Sequence, residues 1–346
     1  MTQAALKRLN PQNVEGILSA FASHPHALQL DLRELEAMER SASALLGNAL
    51  LGTFGPRPLE LRVPDGDADW MTASALTFAL ANRTGMTQVN GQPANWLRDS
   101  DWARDWRPGH DEPSRALYLK DAMELFDPEV VGETALRPDL FGSKFAAFVN
   151  PHLTYPAIQH HPVTTVLWPW LDRLVPEERV LSTTHDRRAR WMADVGRFID
   201  EMVGNVSEHA RGDRPSRLFS LVQVFVTRGG SGSSNRLHLS VQDTGVGIPN
   251  TARRKLKRQL AASITDDQLV AKLLEGSLFP WGRGRGQGLP RVVDICRQHR
   301  GTLRIATKTT RATLGSQEGD TAVTTGAAPF KLDGTVVTLS LPVPSR

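Results

Sequence analysis

The chain has 346 residues, 40% hydrophobic and 23% charged, with a formal net charge of +4. That length accommodates about two domains with buried cores, and no apolar run approaches the ~20 residues of a membrane span. A single cysteine, Cys296, excludes an intrachain disulfide and a multi-cysteine zinc site; with an N-terminus that lacks a long apolar leader, it points to a cytoplasmic protein. The charge excess is mild and gives only weak support to acidic partners such as nucleic acid.

In chain order, LQLDLR at 28–33 alternates as a short strand, and the leucines from Leu35 to Leu51 recur at roughly helical spacing until Gly52, Gly55 and Pro56 break the pattern. PLELRV at 58–63 alternates again, the Pro64–Asp67 cluster is a turn, and 69–82 reads as a helix with Asp69 at its N-cap. Strand, helix, strand, helix predicts a small α/β unit with a parallel strand pair over residues 1–84. This layout resembles a STAS-like domain, the fold of anti-sigma-factor antagonists; Ser41 is the nearest match to their phospho-acceptor serine.

Residues 85–180 read as a connector with packed segments. Trp96, Trp102 and Trp106 stand among Asp99, Asp101, Asp105 and Asp111, so they suit packing against a domain better than stacking on nucleobases. His152, His160 and His161 lack the cysteines or spaced carboxylates of a metal site and read as ordinary loop histidines.

From Arg187 to Ala210 the chain reads as a helix with a buried stripe at Trp191, Val195, Phe198, Met202 and Val206. Glu201, Asn205 and His209 climb one face in steps of four. A solvated polar face is the plain explanation. The chemical one is that an Asn oxygen can ligate Mg²⁺, which needs few protein ligands, while a carboxylate one turn away activates a water. Two alternating strands follow, at 217–227 and 236–242. Asp243, Gly245 and Gly247 come next, in VQDTGVGIP: either a simple Asp-Thr-Gly turn or a carboxylate at a pocket floor beside backbone that turns tightly. Residues 250–281 hold a basic run, TARRKLKRQL, and a helix, DDQLVAKLLEG. In GRGRGQGLP, Gly284, Gly286 and Gly288 precede a helix, which suits either a flexible Arg-Gly loop or free N–H groups turned towards phosphate. The segment 307–330 reads as a mobile low-complexity insertion between the last strands.

Taken together, Glu-x3-Asn-x3-His, then Asp-x-Gly-x-Gly-Ile, then Gly-x-Gly-x-Gly-Leu resemble the GHKL ATPase superfamily of gyrase, heat-shock chaperones, histidine kinases and mismatch-repair proteins. The resemblance implies a Bergerat fold over 181–346, an α/β sandwich of mixed sheet with helices on one face, and Mg-ATP as ligand. It implies Asn205 as the Mg²⁺ ligand, Glu201 as the water-activating base, and His209 near the phosphates. Asp243 would read adenine, with Gly247 beside the base, Gly245 also binding the nucleotide, and Thr335 or Thr338 assisting through a water. Gly284, Gly286, Gly288 and Leu289 would form the phosphate-side hinge of a lid at about 250–283.

Histidine autokinase activity is not expected, because His185 stands too close to Glu201 to sit on a separate helical hairpin. Nor is a gyrase-like transducer expected, since the chain stops at Arg346. The expectation is an ATPase, or a kinase of a protein partner, in a regulatory role and free of the membrane. A homodimer, a non-catalytic ATP switch and a nucleic-acid-responsive ATPase are the alternatives.

Overall fold

The computed structural model describes residues 8–24, 28–35, 37–38, 40–63, 79–80, 83, 85–94, 146–148, 182–206, 209, 220–227, 235–256, 263–278, 287–315 and 322–344. Strand β1 (Arg8–Leu9) leads into helix α1 (Pro11–Ser23). Asn10 caps α1 by accepting from the Asn13 amide at 2.8 Å, and Pro11 occupies the first turn, where no amide donor is needed. Val14, Ile17, Leu18 and Phe21 form its buried stripe. The sequence reading overlooked this helix, although both cap and stripe are present in the sequence. Strand β2 (Leu28–Asp31), β3 (Ala37–Met38), helix α2 (Arg40–Leu51), β4 (Leu59–Arg62), β5 (Thr87–Val89) and β6 (Gln92–Pro93) complete the N-terminal unit. Its sheet runs β2-β4-β5-β6, parallel from β2 through β5, with β6 antiparallel at the edge. The expected parallel pair is therefore β2 and β4, and α2 crosses between them.

The second sheet has the order β10-β11-β9-β8-β7. Its strands are β7 (Ala146–Phe148), β8 (Ser220–Thr227), β9 (Arg236–Asp243), β10 (Thr302–Leu314) and β11 (Thr324–Pro342). Every pairing among them is antiparallel, where the resemblance implied a mixed sheet. Neighbours β8 and β9, like β10 and β11, follow one another in sequence, and consecutive strands pair antiparallel without a crossover. Helices α3 (Ser182–Asn205), α4 (Ile248–Lys255), α5 (Asp266–Leu274) and α6 (Gly288–Gln298) accompany this sheet. Trp191 and Phe198 of α3 are among the largest fully buried side chains, and the Trp191 Nε1 donates to Pro342 O at 3.0 Å. Thr265 caps α5 in a reciprocal capping box with Gln268.

Both faces of this sheet are covered. Phe330, Leu332 and Val336 of β11 belong to one continuous apolar cluster with α1, α2, β2 and β4 of the N-terminal unit, and Ala306 packs against it. Strand alternation then leaves Thr335, Val337 and Leu339, with their register partners Asp243, Val241 and Leu239, for the opposite face. Helices α3 and α6 pack together on that side.

Residues 307–330 are not a mobile insertion along their length, since β10 runs to Leu314 and β11 begins at Thr324. Thr307 and Thr310 are each 1% exposed. Threonine is a good strand former that resembles a polar linker only when composition alone is read. The helix expected at 69–82, the three tryptophans at 96, 102 and 106, the three histidines at 152–161, and Gly284 and Gly286 lie outside the described residues, apart from positions 79–80. No helix among the described residues is long and apolar enough to cross a membrane.

Candidate functional site

Asp243 is the last residue of β9, paired in register with Thr335 of β11. It is buried, and its Oδ1 accepts from the Gly245 amide at 2.7 Å. Among the described residues nothing donates to Oδ2. Burial raises the carboxyl to about 7, against the opposing pull of the Gly245 amide and the Lys308 ammonium.

Tight backbone surrounds Asp243. Gly247 has φ of +81°, and a Cβ there would lie 2.9 Å from Thr307 Oγ1 and 3.0 Å from Lys308 Cε. Gly334 has φ of +83°, and a Cβ would lie 1.8 Å from the Asp243 carbonyl oxygen. Only glycine fits either position. The Thr307 hydroxyl joins the three segments: it donates to Gly334 O at 3.0 Å, accepts from the Ile248 amide at 3.1 Å, and lies 3.3 Å from Thr335 Oγ1. Thr338, the alternative to Thr335, pairs with Ser240, three residues before Asp243, and so lies on the opposite face of the sheet.

The second half of the site lies between α3 and α6. Glu201 and Asn205 occupy the last turn of α3, each half-buried. Beyond Asn205 the helix opens into a wider, π-type turn that carries His209, so the three side chains do not climb one regular helix. His209 Nε2 lies 3.3 Å from Lys255 Nζ of α4, and its carbonyl accepts from Thr251 Oγ1 at 3.2 Å. Gly288, the first residue of α6, faces the other two: a Cβ there would lie 2.8 Å from Glu201 Oε2 and 3.5 Å from Asn205 Nδ2. The Glu201 Oε1 accepts from Arg291 Nη1 at 2.5 Å. Leu289 packs into a small cluster built by Ala252, Ile264, Leu269 and Leu273, which ties α4, α5 and the start of α6 together.

Sequence reasoning missed Arg291, Thr307, Lys308, Asp333 and Gly334. Arg291 had a signal, being a lone cation on the first turn after the glycine run. Thr307 and Lys308 were hidden by the assignment of 307–330 to an insertion, and Asp333 and Gly334 by the absence of any motif around them.

A buried carboxyl at a strand end, glycine-walled backbone around it, and an acid–amide pair against a glycine-led helix lie in one α/β unit of sheet and helices. Residues 193–345 match the family described as histidine kinase-, DNA gyrase B-, and HSP90-like ATPase. This segment is a GHKL-type, ATP-binding domain. Among curated proteins none matches the chain.

Proposed function

We propose that the chain binds Mg-ATP and turns it over, as an ATPase or as a serine/threonine-type kinase of a protein partner, in a regulatory role. The observation that carries this is the Glu201–Asn205 pair set against Gly288 at the start of α6, with the buried carboxyl of Asp243, which accepts from the Gly245 amide, in the same domain. In this proposal Asp243 accepts from the exocyclic amine of adenine, and Thr335 supports it through a water. Gly284, Gly286 and Gly288 admit the phosphates near the free amides of α6, whose dipole favours anions. The Asn205 side-chain oxygen is a fitting hard ligand for Mg²⁺, which when bound would neutralise phosphate charge.

Glu201 is the proposed base that takes a proton from water or from a partner hydroxyl. Its ion pair with Arg291 occupies one carboxylate oxygen until Arg291 has another anion to meet. That pair also favours a second reading, in which ATP binding only exchanges ion pairs and closes an interface without turnover. We divide the chain for this purpose into 1–84 as a STAS-like unit, 85–180 as connector and 181–346 as the ATPase domain, with a lid at about 250–283. A STAS-like unit fits a signalling role because such units are protein-interaction modules.

Phosphate release from Mg-ATP distinguishes turnover from binding alone. Wild type is expected to release phosphate at least 100-fold faster than Glu201→Ala, about the effect of removing a general base. Equal rates with ATP still bound would leave the switch and remove the enzyme.

A further inference from the structure

The end of α2 reaches from the N-terminal unit into the frame of the base pocket. Asn48 is 2% exposed, and its Nδ2 donates to the Asp333 carbonyl at 3.0 Å. The Asp333 amide donates to Thr53 Oγ1 at 2.8 Å. Both backbone hydrogen-bonding groups of Asp333 are therefore held by the N-terminal unit. Between these two anchors, Gly52 lies flush against the site: a Cβ there would lie 3.3 Å from both Asp333 Cβ and Thr244 Cγ2. Thr244 follows Asp243 directly, and Gly334 follows Asp333.

From Asp333 the contacts run straight into the pocket. Its carboxylate meets Lys308 Nζ at 3.5 Å, the Lys308 stem closes over Gly247, and Gly334 sits against the Asp243 backbone with its carbonyl held by Thr307. The apolar cluster that joins α1 and α2 to Phe330, Leu332 and Val336 makes the two units one packed body at this point. A shift of α2 along its axis would move the 333–334 turn, and that turn has no room to move without displacing Asp243.

We propose that Asn48 and Thr53 are positioning residues for the base pocket, and that through them the N-terminal α/β unit and nucleotide occupancy are thermodynamically coupled. What the N-terminal unit binds, through the position it gives Asn48 and Thr53, sets the affinity for nucleotide, and by reciprocity nucleotide orders the end of α2. The proposal rests on the ATP-binding reading of the site. Neither residue touches the base, so both act through Asp333 and Gly334.

The test uses the full chain and ATP titrated calorimetrically, with the melting temperature of each unliganded variant measured alongside. Thr53→Val keeps shape and removes the acceptor; it is expected to weaken ATP binding roughly fivefold or more, the lower end of ordinary coupling. Asn48→Ala is expected to do the same, and Thr53→Ser to restore wild-type affinity. Ile17→Val, in α1 away from Asp333, serves as the stability control and is expected to lower the melting temperature without changing affinity. Amide exchange at 48–54 is expected to slow when ATP is added to wild type. Unchanged affinity in Thr53→Val and Asn48→Ala beside an ATP-binding wild type would overturn the coupling alone, as would an equal loss of affinity in Ile17→Val. A wild type that binds no ATP would overturn the site reading itself.

Discussion

The two ends of the site are built in opposite ways. At the proposed base end, Asp243, Gly247, Thr307, Gly334 and Thr335 lie on three neighbouring strands, β9, β10 and β11, and the turn after β9, buried and connected by short hydrogen bonds. At the proposed phosphate end, Glu201, Asn205 and His209 sit where α3 loses its regular form. They are half-buried, and Glu201 and His209 face the cations Arg291 and Lys255. The base end is preorganised because a buried carboxylate tolerates little freedom in its surroundings. The phosphate end is held by contacts that another anion can replace, and exposed ion pairs of that kind contribute little to folding. A nucleotide would thus be recognised by a rigid half and answered by an exchangeable one.

The largest effect that would break this contrast is at Gly334. Alanine there would force a Cβ against the Asp243 carbonyl in left-handed backbone, and we expect a loss of about 3 kcal/mol or more in urea unfolding, often with failure to fold. Next is Asp243→Asn. Loss of a charged acceptor is expected to weaken ATP binding roughly 100-fold, while stability at pH 8 stays equal or rises because a buried charge is gone. Calorimetric titration and thermal unfolding separate the two results.

The pH dependence follows from the same carboxyl. Its folded value is raised to about 7, against about 4 in the unfolded chain. A raised carboxyl favours the protonated folded form, so its contribution to stability declines as pH rises from about 4 to about 7 and is level above that. Nucleotide needs the ionised form, so ATP affinity is expected to fall by up to about tenfold per unit as pH drops below about 7. Asp243→Asn should flatten both profiles. An ATP affinity constant between pH 5.5 and 8 would show that Asp243 does not read the base.

The smallest effect belongs to the exchangeable end. Arg291→Ala is expected to change unfolding by no more than about 0.5 kcal/mol, since its partner pair is half-exposed. ATP binding should weaken a few-fold while adenosine binding does not change. A large stability loss in this variant would erase the contrast between the two ends.

Much of the site was legible in the sequence because its parts are local. Glu201, Asn205 and His209 lie within nine residues of one another, Asp243 to Gly247 form one turn, and Gly288 and Leu289 open one helix. Spacing alone determined that these groups are polar, turn-forming and ordered along the chain in a recognisable way. The strand alternation in β2, β4 and β9 and the stripe on α3 were equally local, since burial on one face imposes a period of two or of 3.6. Tertiary structure decided the rest. The choice of Thr335 over Thr338 depended on the register between β9 and β11, and one residue of slip would have reversed it. The partnership of Arg291 with Glu201 spans two helices far apart in the chain. Thr307, Lys308 and Asp333 carry no motif, and they matter only because β10 and β11 bring them under Gly247. The N-terminal unit looked separable in sequence because its own pattern is complete, yet its core closes only on Phe330, Leu332 and Val336. Long-range packing of that kind leaves no periodic trace, because apolar residues record that they are buried and not against what.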